Sequence, residues 1–145
     1  MVMRLREIGE PGQRVLVVVC DKGEEAVGAV RTAVTERRIL AGQVSAVGGL
    51  MRGELGYFDR NLRDYVRIPV TDQVEVLSML GDVAEQGGRP QVHVHAVLGR
   101  RDGSTVGGHL LSGDVWPTLE VIVTEVGPEL AKRSDPETGL ALMAP

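Results

Sequence analysis

The chain has 145 residues, 43% of them apolar, which is enough to fill one continuous core without staples, so a single domain over residues 1–145 is expected. A net charge of -4, from 16 Lys and Arg against 20 Asp and Glu, argues against a duplex-binding surface, and the scarcity of aromatics argues against a base-stacking platform. No apolar run approaches the ~18 residues of a membrane span, and Met1 to Glu10 mixes Arg4, Arg6 and Glu7 where a signal peptide would be apolar, so a cytoplasmic protein without membrane association is expected.

In chain order, Val2 to Ile8 reads as a first strand, Pro11-Gly12 as a turn, and Arg14 to Cys20 as a buried, valine-rich strand. Cys20 is the only cysteine, so it is expected as an inert buried thiol. Asp21 and Glu24 look like a capping box, and Val27, Val30, Val34 and Ile39 recur at roughly helical spacing until Gly42; they predict a helix from about Gly23 to Arg38.

Glycine-punctuated β-branched stretches follow at Gln43 to Val47, Glu54 to Phe58, Tyr65 to Val70 and Glu75 to Leu80. Pro69 cannot donate to a central ladder, which puts its strand at an edge or against a bulge. Asp82 to Gln86 reads as a helical turn before the Gly87-Gly88 break. Gln91 to Leu98, Thr105 to Leu111 and Leu119 to Val126 are the next strands, and a tail with an Asp135-Pro136 turn ends in the apolar piece Leu140 to Met143. Runs of strands with one long helix predict an α+β fold with a mostly antiparallel sheet.

All three histidines fall between positions 93 and 109. In Gln91-Val92-His93-Val94-His95-Ala96-Val97-Leu98, strand alternation turns Val92, Val94, Ala96 and Leu98 to the core and His93 and His95 to the other face. Their Cα atoms would stand about 6.6 Å apart, close enough for both rings to reach one ion at roughly 2.0–2.1 Å. If Arg101-Asp102-Gly103 is a three-residue hairpin loop with Gly103 left-handed, the register sets His95 opposite His109 and all three rings share one patch. A bulge at Gly107-Gly108 would shift that parity.

Three imidazoles leave a coordination position open, which suits a divalent ion that binds water, an anion or a substrate. Zinc is the default, while ligand type alone also admits nickel, iron, manganese and cobalt. The alternative is a polar sheet face, or histidines that hydrogen-bond across a subunit interface without metal.

Ala46-Val47-Gly48-Gly49-Leu50, Gly56-Tyr57-Phe58-Asp59, Glu75 to Gly81, Pro90 to Leu110 and Glu120-Val121-Ile122-Val123 together resemble the PPC domain, the "plants and prokaryotes conserved" domain, over nearly the whole chain. The resemblance implies a mostly antiparallel sheet with a helix packed on it, a homotrimer, and in prokaryotic members a metal held by three histidines, at the positions of His93, His95 and His109. Free-standing prokaryotic members carry a DNA-binding label by analogy with plant proteins, in which a separate AT-hook contacts DNA. Here the nearest counterpart, Gly87-Gly88-Arg89-Pro90, has no basic flank and reads as a turn.

An HxH pair also opens the cupin motif, but no glutamate follows within Ala96 to Gly99. Glu120 and Glu54 are candidate bases near the metal, each set against an ordinary solvated or interface role; Tyr57, Asp59 and Tyr65 are candidate pocket residues if a trimer brings another subunit's loop over the histidines, set against strand-end packing. The pairs Arg100-Arg101 and Lys132-Arg133 read as solvated. Three functions compete: a homotrimeric metal- or small-ligand-binding oligomerisation module, a hydrolytic enzyme using metal-bound water, and a DNA-binding regulator. No residue is assigned a catalytic role.

Overall fold

The computed structural model describes residues 2–145. Among the described residues, nine strands and one helix succeed one another: β1 (Arg4–Ile8), β2 (Val15–Asp21), α1 (Ala26–Glu36), β3 (Ala41–Asp59), β4 (Asp64–Val70), β5 (Val74–Gln86), β6 (Arg89–Gly99), β7 (Thr105–Glu125), β8 (Lys132–Ser134) and β9 (Ala141–Met143). The first seven strands form one sheet in the order β1-β2-β7-β6-β5-β3-β4, with antiparallel neighbours throughout. β3 also pairs with β7, so β3, β5, β6 and β7 close on themselves. β8 and β9 make a separate hairpin.

Closure requires strands long enough to bend, and glycines supply the bends. The stretches expected as separate strands at Gln43 to Val47 and Glu54 to Phe58 are one strand, β3, because Gly48 and Gly49 mark register shifts within the ladder. A Cβ on Gly48 (φ 154°) would sit 2.3 Å from the Thr118 carbonyl oxygen, so only glycine lets β3 approach β7 this closely. Thr105 to Leu111 and Leu119 to Val126 are likewise one strand, β7, continuous through Ser112 to Thr118.

The helical turn expected at Asp82 to Gln86 is not formed: these residues extend β5, pairing with Arg89 to His93. Gly87 and Gly88 (φ 61° and 78°) make the two-residue turn between them, with the left-handed conformation at both positions that suits strand twist. β4 lies at the sheet edge, where Pro69 costs no ladder donor.

The helix is shorter than its apolar spacing suggests. Glu24 does accept a hydrogen bond from the Asp21 N–H (2.7 Å), but that pair closes the preceding turn, and the cap is Glu25, which accepts from the N–H groups of Val27 and Gly28. Val27, Val30, Ala33 and Val34 bury one face of α1 against β7, β6 and β2, meeting Leu16, Val18, Val94, Ala96, Val121 and Val123 in the core. Cys20 is fully buried there, and burial pushes its thiol up to about 12, as expected of an inert group. No helix among the described residues is long and apolar enough to cross a membrane.

One ionic clamp ties three elements. The Glu125 carboxylate at the end of β7, its side chain 3% exposed, accepts from Arg14 Nε and Nη2 (both 2.8 Å) and from the N–H groups of Gly12 and Arg14. Arg14 also donates to the Arg37 and Arg38 carbonyls, satisfying orphan acceptors at the C-terminus of α1. Glu125→Ala leaves the largely buried guanidinium with those carbonyls and the more distant Glu7 carboxylate, 3.5 Å from Nη1. We expect a loss of about 3–5 kcal/mol, read as a lower urea midpoint with an unchanged slope.

Candidate metal centre

β6 shows the alternation its sequence requires: Val94, Ala96 and Leu98 are buried, while His93, His95 and Val97 face outward. The hairpin to β7 has the anticipated loop. Arg100 donates its N–H to the Ser104 carbonyl (2.8 Å), and Gly103 between them is left-handed (φ 84°). His95 therefore pairs with His109 across the ladder, and Gly107 and Gly108 stay in register, pairing with Val97 and Ala96.

The three rings converge. His93 Nε2 and His95 Nε2 are 3.1 Å apart, and one nitrogen from each of His93, His95 and His109 lies within 4.8 Å of the others. Two nitrogens on one tetrahedral zinc stand about 3.3 Å apart, given Zn–N bonds of ~2.0–2.1 Å, so the His93–His95 pair already has the spacing of ligands. His109 has two rings beside it, His93 (centroids 5.2 Å, planes inclined by 29°) and Tyr65 (4.7 Å, inclined by 31°). Tyr65 reaches it across Gly56, the cross-strand partner of His109; a Cβ there would meet the Tyr65 ring at 2.7 Å.

Burial, reinforced by the charges of His93, His95 and Lys132, pushes His109 down to about 4. His93 is lowered as well, by burial first and Lys132 second, with Asp82 opposing. His109 is thus neutral at pH 7, the state a metal ligand needs, and its buried Nδ1 has no hydrogen-bond partner among the described residues.

The other sequence candidates fare unevenly. Of the proposed pocket residues, Tyr65 alone contacts a histidine ring. Tyr57, on the alternate face of β3 from Gly56, is 65% exposed. Asp59 caps the β3–β4 turn by accepting from the N–H groups of Asn61 and Leu62. Glu120 pairs with Val47 and Val19 on the outer face, with β3 and β5 between it and β6. Glu54 is held in an ion pair by Arg67. A recess of about 950 Å³ is lined by Asp72, Glu75, Arg100, Arg101 and Asp102, with no histidine in its lining.

Two residues were missed. Asp82, the cross-strand partner of His93, places Oδ2 3.7 Å from His93 Nδ1, and Lys132 Nζ lies 3.4 Å from Asp82 Oδ1. Lys132, read as solvated, has a side chain only 8% exposed. Once Gly87-Gly88 is taken as a two-residue hairpin, the Asp82–His93 pairing can be counted from the sequence; reading a helical turn at Asp82 to Gln86 hid it.

A family model for the Plants and Prokaryotes Conserved domain, abbreviated PCC or PPC, matches residues 8–127. The chain belongs to this family. Among solved structures, it is 29% identical to a metal-containing protein from Archaeoglobus fulgidus, with a TM-score of 0.84 over 100% of this chain and 99% of that one. A candidate DNA-binding protein from Bacteroides thetaiotaomicron has a TM-score of 0.86 over 97% and 96% of the two chains; at 21% identity it shares the fold alone. Over 98 residues the PPC chain is also 30% identical to the bifunctional protein GlmU of Synechococcus sp. (strain JA-3-3Ab), a match of 66% of this chain but 14% of that protein.

The depressed histidines make apo-protein stability pH-dependent, with a definite sign. Below pH ~6.5 the unfolded chain takes up protons that folded His109 refuses until about pH 4, so stability is full above 6.5 and falls as the pH drops through that window. We expect the melting temperature of metal-free protein to decline on acidification across this range. The decline should be smaller for His109→Gln.

Proposed function

We propose that this PPC-domain protein is a homotrimeric binding module that holds one divalent ion, with zinc the first candidate, through His93, His95 and His109. The observation that carries this reading is the convergence of three imidazoles, with His109 held neutral by its surroundings, on the outward face of a rigid hairpin. The metal-containing Archaeoglobus relative, similar over its whole length, supports it. An ion held by three imidazoles keeps a coordination position for water or a small anionic ligand.

The trimer reading draws on the same sheet face. From His95, cross-strand pairing runs through Leu80, Ser45 and Ile122; the next row holds Val97 and Val47, with Leu77 close by. Leu77, Leu80 and Val47 are each more than half exposed in the single chain (53%, 55% and 54%), and Val97 and Ile122 nearly so. Exposed apolar surface of this kind, interrupted by Ser45 and bordered by Glu120 beside Val47, supports an interaction site, and here it begins beside the histidines.

Glu54 is engaged in an ion pair with Arg67, and Glu120 lies beside Val47 and Val19, an arrangement that supports binding over hydrolysis. The DNA-binding description of the Bacteroides protein would require duplex affinity that falls steeply with salt, which a chain of net charge -4 opposes.

Elemental analysis of tag-free protein should find about one ion per chain, absent from the His93→Ala/His95→Ala double variant. Light scattering should give three times the chain mass, and Leu80→Glu should shift it to smaller species. A metal-free wild type, or a monomeric one, would overturn the corresponding half of the proposal.

A further inference from the structure

The C-terminal segment beyond residue 127 lies outside the family match, yet it reaches the histidine cluster. The Leu130 carbonyl accepts a hydrogen bond from the Glu85 N–H of β5, and Ala131 bridges to Glu85. The β8–β9 hairpin is braced by Asp135, which accepts from the N–H and hydroxyl of Thr138, and the Ala144 N–H closes back onto the Ala131 carbonyl. These contacts leave Lys132 at the outer face of β5, three residues along from Glu85, beside Asp82.

A lysine at 8% side-chain exposure gives up most of its hydration and needs a compensating anion. Asp82 is that anion, and its position is shared. Oδ1, fully shielded and without a hydrogen bond, faces Lys132 at 3.4 Å; Oδ2 faces His93 Nδ1 at 3.7 Å. On the far side of the same imidazole, His93 Nε2 points at His95 Nε2. A metal taken at Nε2 forces the His93 proton onto Nδ1, where Asp82 is the acceptor in reach.

We propose that Asp82 and Lys132 are positioning residues for the three-histidine site. Asp82 fixes the tautomer and orientation of His93, and Lys132, delivered by the C-terminal hairpin, fixes Asp82, so that the segment outside the matched domain sets how tightly the site holds its ion. The inference rests on the metal-site reading above. Lys132 acts through Asp82, which faces the Nδ1 edge of His93.

The test is zinc affinity by chelator competition on tag-free protein, with the visible spectrum of the cobalt-substituted form as a second readout. Asp82→Asn should weaken zinc binding about 10–100-fold, the range for loss of a carboxylate behind a histidine ligand. Lys132→Met, which keeps the chain length without the charge, should weaken it several-fold and alter the cobalt spectrum, while Lys132→Arg restores most of the affinity. Thermal melts of the metal-free variants separate local from global effects, and Arg133→Met, which removes the neighbouring exposed cation, should leave the affinity unchanged.

Wild-type affinity and an unaltered cobalt spectrum in both Asp82→Asn and Lys132→Met, alongside loss of binding in His93→Ala, would overturn the positioning role and leave the metal site standing. A wild type that binds no zinc or cobalt at all would instead remove the metal site itself. If either variant fails to fold, Asp82→Glu and Lys132→Arg carry the same comparison: altered affinity or an altered cobalt spectrum supports the role, and wild-type values in both overturn it.

Discussion

The register of β5, β6 and β7 is the constraint on which the site depends. Two short turns fix it: Gly87-Gly88 joins β5 to β6, and the three-residue loop ending at Gly103 joins β6 to β7. A slip of one residue at either turn would send a histidine to the core face, so each turn carries the glycine its backbone needs. With both in place, Asp82 lies opposite His93 and His95 opposite His109, and four polar side chains collect on one outward patch.

Around that hairpin pair the fold is organised to resist shear. Gly48 and Gly81 let neighbouring strands approach more closely than any side chain would permit, since a Cβ on Gly81 would fall 1.9 Å from the His93 carbonyl oxygen. The helix covers the opposite face, so the strands that carry the histidines are backed by a core of valine, leucine and alanine. The Arg14–Glu125 clamp closes the end of α1 against β7. A cluster of imidazoles, with His93 and His109 partly desolvated, gains little from its own contacts and is held by this scaffold.

The outward face joins two properties that are usually separate. Polar, ion-ready side chains at His93 and His95 run into the exposed apolar side chains of Leu80, Ile122, Val97 and Val47, spread over two cross-strand rows of the same sheet. In a self-associating chain, ligand entry and subunit packing would then share a border. Substitutions along those rows would be felt at the site without touching it.

The sequence by itself determined the local physics. Alternation in Gln91 to Leu98 set which side chains face out, and Gly103 set the hairpin loop that carries His109 to His95, because strand period and turn chemistry are written in consecutive residues. The α+β class, the long helix, the placing of β4 at an edge or a bulge, of which the structure shows the edge, and the inert Cys20 were legible for the same reason. Strand length was not: Gly48-Gly49 and Gly81 look like breaks in one dimension and prove to be close approaches between strands in three. Only the tertiary structure brought Tyr65 over Gly56 onto His109, tied Glu54 to Arg67, set Glu120 beside Val47 and Val19, and buried Lys132 against Asp82. Those placements depend on sheet closure and on a C-terminal hairpin folding back, and a contact between residues fifty positions apart leaves no period in the sequence to read.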